Sequence, residues 1–234
     1  MTSRPNELRP TRITDVRKAA KDGRAWVPSV TTILNVLAKD NLVNWKIGEH
    51  LKQAFKADRS QFNHDQEFDY ISEIKRLTEI EMDKAPSAGT DFHKLMEMAV
   101  LNMEMSTEDH DLCNSVYKVI VEKTDGGCRW SPELNFVSGG YGGQIDLSNN
   151  DWVIDYKTKQ TAEKFKPSKM VYDDHSRQLA AYRQAVSPKA RCANVFVCLE
   201  DGQIDFHEHT EKQLQKGWGV FSHALEIWNI QNKA

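Results

Sequence analysis

Two periodicities divide this chain. From Val27 to about position 123 apolar residues recur at helical spacing, and from Gly126 onward they mostly alternate with period two. Residues 1–24 are polar and aperiodic and are expected to form a flexible N-terminal tail. "VPSVTTILNVL" predicts a helix with Ser29 as its N-cap after Pro28, and with Val30, Ile33, Leu34 and Leu37 on one face. Helical patterning continues through Trp45 toward Lys75, interrupted by the polar stretch "KADRSQFNHDQEFD", which reads as a loop or insertion. "SAGTDFHKLMEMAVLNMEM" predicts an amphipathic helix capped by Thr90, and another helix is expected over about 109–123.

"PELNFVSGGYGGQIDL" and "DWVIDYKTK" predict two strands joined as a hairpin by Ser148–Asp151. A lysine-rich connection, 157–169, leads to the helix "HSRQLAAYRQAV". "CANVFVCLEDGQIDFHEH" follows as two strands turning at Asp201-Gly202, and a helix over about 210–230 ends the chain. The order is helices, then β-β-α-β-β, then a helix. It predicts an α/β fold with a small mixed β-sheet flanked by helices and a helical N-terminal part. Residues 25–234 are expected to form one domain, mostly helical over 25–125 and sheet-containing over 126–234.

Composition narrows the classes. The 234 residues carry a net charge of −3, which excludes a globally basic nucleic-acid binder but leaves room for a local basic track. No stretch approaches the roughly 18 continuous apolar residues of a membrane span. The N-terminus lacks the apolar core of a secretory signal, and Glu7, Asp15 and Asp22 interrupt what would be a transit peptide. A cytoplasmic setting, in a phage-infected or bacterial cell rather than a mitochondrion, is the expectation. Cys113, Cys128, Cys192 and Cys198 form no Cys-x-x-Cys pair, so a zinc ribbon or redox motif is unsupported.

The chemistry concentrates in "GGQIDLSNNDWVIDYKTKQ". Asp146, Asp155 and Lys157 lie within apolar, β-branched segments, where charge is costly unless compensated. Asp155 and Lys157 share a strand face, with Trp152, Ile154 and Tyr156 on the other. A four-residue turn would set Asp146 opposite Val153, on the face of Asp155, so that two carboxylates converge on one hard divalent cation. Lysine beside them would polarise water or stabilise phosphorane-like charge. A cross-strand salt bridge at a sheet edge is the plain alternative. A decoy, Glu73-Ile74-Lys75, sits in a helical stretch without a partner acid. His93 and Glu97, and likewise Gln178 and Tyr182, stand four apart on helical faces. Lys157, Lys159, Lys164, Lys166 and Lys169, followed by Arg177 and Arg183, form a candidate phosphate track.

Gly143-x-x-Asp146, "VIDYKT" and "QLAAY", preceded by "FHKLME", resemble the PD-(D/E)XK nuclease superfamily and its RecB-like branch. With "PSVTTIL", Trp45, "ELNFVSGGYGGQIDL" and the final Trp-containing helix, they come in the order found in mitochondrial genome maintenance exonucleases and related phage exonucleases. The resemblance covers about residues 26–230. It implies a restriction-endonuclease-like core that binds Mg²⁺ or Mn²⁺ through His93, Asp146, Asp155 and the main-chain carbonyl of Tyr156. Glu97 would bind a second metal or hold the first through water. Lys157 would position the attacking water, Gln178 would orient water or phosphate, and Tyr182 would support the site. Ser29, Thr31, Thr32, Trp45, Lys159 and Tyr182 would contact single-stranded DNA, although Trp45 also fits a core position. Glu133 has a weaker claim, because it also fits a strand-end charge. Iron–sulphur relatives use one upstream cysteine and three clustered late; only Cys192 and Cys198 are late here, so no iron–sulphur cluster is expected. Residues 51–85 read as an insertion.

The resemblance thus implies a metal-dependent DNA exonuclease preferring single strands with a free end. It would be monomeric rather than trimeric and would work beside a replication or recombination protein. A lambda-type duplex exonuclease, a structure-specific endonuclease and a non-catalytic DNA-binding recombination module are the competing readings.

Overall fold

The structure, a computed structural model, describes residues 10–11, 27–58, 60, 62, 64–124 and 129–232. The expected tail over 1–24, apart from Pro10–Thr11, and the switch at Gly126 with Cys128 lie outside the described residues. The chain forms two compact units, one of Met1–Leu37 with Phe92–Ala234 and one of Ala38–Asp91.

The larger unit is built on a mixed five-stranded sheet. Its strands are β1 (Ser131–Ser138), β2 (Tyr141–Ser148), β3 (Trp152–Lys159), β4 (Arg191–Cys198) and β5 (Ile204–His209), lying side by side in that order. All neighbours are antiparallel except β3 and β4, which run parallel because a helix joins them. Six α-helices are described: α1 (Val30–Leu34), α2 (Asp40–Lys56), α3 (Glu67–Val100), α4 (Thr107–Lys123), α5 (Asp173–Val186) and α6 (Glu211–Asn232). Period-two alternation in β3 separates two core layers. Val153 faces Ile33, Leu179, Phe221 and Trp228 from α1, α5 and α6. Trp152, Ile154 and Tyr156 face Phe92, Met96, Cys113, Val116 and Ile120 from the end of α3 and from α4. The expected α/β architecture, a small mixed sheet flanked by helices, is therefore the observed one.

In the smaller unit, α2 and the first part of α3 are tied by the Tyr70 hydroxyl, which donates to the Ala54 carbonyl at 2.9 Å. Phe62 packs edge-on against Tyr70 with ring centroids 5.2 Å apart. The Glu73-Ile74-Lys75 decoy is helical, with Glu73 paired to Arg76 at 2.6 Å.

Four sequence expectations need correction. Helix α1 ends at Leu34, with Asn35 as its C-cap, so Leu37 lies beyond it. Thr90 caps no helix, because α3 runs unbroken from Glu67 to Val100. "PELNFVSGGYGGQIDL" is two strands rather than one. Gly139 and Gly140, with φ of 59° and 84°, supply the two left-handed positions of a tight hairpin turn, and Ser138 pairs with Tyr141. The register of β2 with β3 is also shifted by two residues. Asn149 closes the turn through side-chain bonds from the N–H groups of Asp151 and Trp152, both 2.8 Å, so Ser148 pairs with Val153 and Leu147 with Ile154. Continuing that register sets Asp146 across from Asp155. A shift of two preserves the faces, so Asp146 and Asp155 still share one.

A candidate metal centre on the central strands

Phe92 and Met96 bury the end of α3 against the sheet, and Phe92 meets the Tyr156 ring edge-on with centroids 5.8 Å apart. The neighbouring His93 is thereby held over β2, its Nδ1 3.3 Å from Asp146 Oδ1 and 3.9 Å from Glu133 Oε1. Ligand atoms of His93, Glu133 and Asp146 lie within 4.8 Å of one another. The other Asp146 oxygen, Oδ2, accepts the Tyr156 N–H at 2.7 Å.

Glu133 reaches this group by an unusual backbone. It sits between Pro132, which pairs with Leu147, and Leu134, which pairs with Ile145, yet its φ is +48°. A left-handed residue other than glycine costs about 1–2 kcal/mol, and such positions cluster at functional sites. Its Oε1 is buried and accepts no hydrogen bond. Burial first, and then the Asp146 charge, push the Glu133 carboxyl up to about 7. Asp146 is raised as well, by burial and by the charge of Asp155. Burial pulls His93 down, but the bond to Asp146 and the charges of Asp146, Asp155 and Glu133 outweigh it and leave the imidazole raised.

Asp155 stands beside this group with different partners. It is 2% exposed, and its Oδ2 accepts from Lys157 Nζ at 2.7 Å and from Asn194 Nδ2 at 2.7 Å. Lys157 Nζ also lies 3.5 Å from Gln178 Oε1, and Gln178 Nε2 donates to the Tyr182 hydroxyl at 2.9 Å. The ammonium is thus held between a strand carboxylate and a helix amide. Burial lowers the Lys157 pKa, yet the charges of Asp155 and Asp146 and the Asp155 bond raise it overall, so the side chain is charged.

Does this set fit a divalent cation? An unbonded buried carboxylate oxygen, two acids with raised pKa values and an imidazole, with ligand atoms within 4.8 Å of one another, form a donor set whose crowded negative charge a cation would relieve. Carboxylate oxygens suit Mg²⁺ or Mn²⁺, and the imidazole favours Mn²⁺ among hard cations. The residues fit. Among the described residues, no other group of three His, Cys, Asp or Glu side chains has this spacing.

Of the other expected site residues, Glu97 and Tyr156 adjoin this group. Glu97 is half-buried on α3, near enough to Glu133 for its charge to raise that carboxyl. The Tyr156 ring is buried in the core and meets the His93 ring edge-on with centroids 5.7 Å apart. Tyr182, expected at the DNA, is 5% exposed and packs edge-on against Phe136 at 5.7 Å, so it props Gln178 from below. Ser29 caps α1 by accepting the Thr32 N–H at 3.1 Å, and its hydroxyl lies 3.0 Å from that of Thr31 and 2.9 Å from that of Thr32. Thr31 is exposed and Thr32 buried. Trp45, in the smaller unit, is 48% exposed. Lys159 is held below the usual lysine range by burial and then by the charge of Lys164, so these cations crowd one another. Arg177 and Arg183, read as continuing that track, are tied instead to Asp174 at 2.7 Å and to Glu211 at 2.6 Å.

Sequence reasoning underrated Glu133 and missed Asn194 and His209, which lie behind Asp155. A polar residue in the otherwise apolar run "RCANVFVC" was the available signal. Cys113 and Cys192 lie in opposite core layers, with thiols pushed by burial to about 11 and about 12. No helix among the described residues is long and apolar enough to cross a membrane.

No protein-family model matches this chain, and no curated protein matches it. Solved structures resemble it in part. An alkaline exonuclease of Laribacter hongkongensis is 15% identical over 64% of this chain and 84% of that one, with a TM-score of 0.38. The same enzyme in complex with dAMP gives 16% identity over 65% and 85%, with a TM-score of 0.37. A proposed exonuclease of Eubacterium rectale is 14% identical over 56% of each chain, with a TM-score of 0.37.

Proposed function

We propose that this protein is a metal-dependent DNA exonuclease of the PD-(D/E)XK type, and that it degrades single strands from a free end. The observation that carries the reading is the pairing of a cluster of His93, Glu133 and Asp146, in which one buried carboxylate oxygen accepts no hydrogen bond, with a lysine held between Asp155 and Gln178. A plain cross-strand ion pair would need the lysine and one acid. It gives no reason for Glu133 to keep a strained backbone and a buried, unbonded oxygen.

His93, Asp146, Asp155 and Glu133 would hold Mg²⁺ or Mn²⁺, with the Tyr156 carbonyl as a further ligand and Glu97 in reserve for a second ion. When bound, the cation supplies charge neutralisation at the phosphate and lowers the pKa of water. The chain's own groups do the rest. Lys157 Nζ, charged and held at 2.7 Å from Asp155, presents its remaining protons to the attacking water or the phosphate oxygen. Gln178 Oε1 restrains the ammonium from α5, and Tyr182 fixes the Gln178 amide. The pair Lys159 and Lys164, crowding each other with like charge, suits a phosphate track leading from β3. Ser29, Thr31, Thr32 and Trp45 are proposed strand contacts, with exposed Trp45 able to stack a base for about 1–3 kcal/mol. A monomer working beside a replication or recombination protein in a phage-infected or bacterial cytosol completes the reading.

The test is digestion of end-labelled linear and circular DNA, single- and double-stranded. Linear single strands should be degraded with Mg²⁺ or Mn²⁺, spared in EDTA and nearly spared with Ca²⁺. Closed single-stranded circles should survive. Nicking of those circles would promote a structure-specific endonuclease, and rapid loss of blunt duplex would promote a lambda-type enzyme. Cleavage undiminished in excess EDTA would remove the metal from the proposal.

A further inference from the structure

Asp155 does not stand alone in its strand row. Across the parallel pairing its partner on β4 is Asn194, whose partner on β5 is His207, and the next inward-facing residue of β5 is His209. Asn194 is 0% exposed and His209 is 3% exposed. Asn194 Nδ2 donates to Asp155 Oδ2 at 2.7 Å and approaches the Asp155 carbonyl at 3.3 Å, while His209 Nε2 lies 2.7 Å from Asn194 Oδ1.

Donor and acceptor chemistry fixes the direction of this chain. An ionised carboxylate only accepts, so the amide must turn its NH₂ toward Asp155 and its oxygen toward β5. That oxygen needs a donor, so His209 carries its proton on Nε2. Burial, with the charges of His207 and His175, holds His209 down to about 4, so the ring is neutral and Nδ1 is bare. That Nδ1 is a buried acceptor with no hydrogen-bond donor beside it. The donors therefore run one way, His209 to Asn194 Oδ1 and Asn194 to Asp155 Oδ2, where Lys157 also donates.

We infer that Asn194 and His209 are positioning residues for the metal centre: they lock the Asp155 carboxylate so that Oδ2 is saturated from inside the protein and Oδ1 alone is offered to the cation. This rests on the reading of Asp155 as a metal ligand. A carboxylate fixed through one oxygen binds as a one-handed ligand in a set orientation, which suits a small cation demanding near-octahedral geometry. Outer partners of this kind typically change metal affinity by about 10–100-fold when removed.

The experiment is calorimetric titration of Mn²⁺ into metal-stripped protein without DNA, with thermal melts in EDTA to verify folding. Asn194→Ala should weaken Mn²⁺ binding by about ten-fold or more. Its cleavage rate should recover at saturating Mn²⁺, because the variant loses orientation rather than a reacting group. His209→Leu should weaken binding in the same direction. His209→Gln, which restores a donor toward Asn194 Oδ1, should recover most of the loss. A folded Asn194→Ala protein with the parent's Mn²⁺ affinity would overturn the inference while leaving the metal centre intact. If Asn194→Ala fails to fold, equal affinities for His209→Leu and His209→Gln would overturn it. If Asp155→Ala binds Mn²⁺ as the parent does, Asp155 is no ligand and both readings fall together.

Discussion

Glu133 has a pH signature that the other acids reinforce. Its carboxyl titrates at about 7 in the fold against an ordinary 4.5, so the metal-free folded chain holds a proton that the unfolded chain has released. Stability therefore falls as pH rises from about 4.5 to about 7. Asp146 and His93, both raised, push the same way. In EDTA the melting temperature should drop between about pH 5 and about pH 8. Glu133→Gln should flatten that slope and weaken Mn²⁺ binding; an unchanged slope would assign the titration elsewhere. Added Mn²⁺ should reverse the trend, because ligands must lose protons to bind it. Lys157→Ala should lower the cleavage rate by orders of magnitude while Mn²⁺ affinity in calorimetry stays near the parent's. A normal rate would remove Lys157 from the chemistry. Asp146, Asp155 and Lys157 were legible because charge inside an apolar strand is conspicuous in one dimension. Asn194 and His209 were not, because their role depends on a strand pairing that only the folded sheet creates.

Among the elements, the packing of β2 against α5 decides how well the lysine is held. A Cβ at Gly143 would lie 2.7 Å from Tyr182 Cε1 and 2.9 Å from Phe136 Cε1. Gly143→Ala must push the Tyr182 ring, and Tyr182 carries Gln178, which restrains Lys157. Overpacking of this kind costs roughly 1–3 kcal/mol. The expected result is a lower melting temperature together with a lower kcat, with KM for linear single strands changed less. A stability loss with kcat untouched would show that Tyr182 does not position Gln178. Period-two alternation and turn residues gave away most strands, and the Asp201-Gly202 turn lies where expected, with Gly202 at a φ of 70°. The β1–β2 hairpin escaped because alternation continues across Gly139-Gly140, and the turn consumes only those two residues. The β2–β3 register escaped because the turn consumes only Asn150 and Asp151, closed by the Asn149 N–H on the Trp152 carbonyl at 3.0 Å and by the Asn149 side chain.

For the whole molecule, a net charge of −3 means that the proposed DNA affinity would have to be local. Lys164, Lys166 and Lys169 are exposed beyond β3, while both nearby arginines are paired. Replacing Lys164 and Lys166 with Glu should weaken single-strand binding and flatten its salt dependence, the slope shrinking by about 0.7 for each phosphate no longer neutralised. Mn²⁺ affinity should hold. A salt slope equal to the parent's would move the track elsewhere. The order of helices and strands was legible from periodicity alone. The separation of Ala38–Asp91 was not, because the helical pattern crosses its boundary inside α3.

The parallel pairing of β3 with β4 also has a place in time. It joins segments separated by the whole of α5, and such distant pairings form slowly because chain closure comes before any reward. The proposed ligands His93, Glu133 and Asp146 come from α3, β1 and β2, and Asp155 from β3, so they would meet only after the sheet is assembled. Mn²⁺ would then find nothing to grip in the folding transition state. In stopped-flow experiments it should slow unfolding and leave the refolding rate almost unaltered. The ion would act as a latch on a door already shut, and a refolding rate that climbed with Mn²⁺ would place it at the hinge instead.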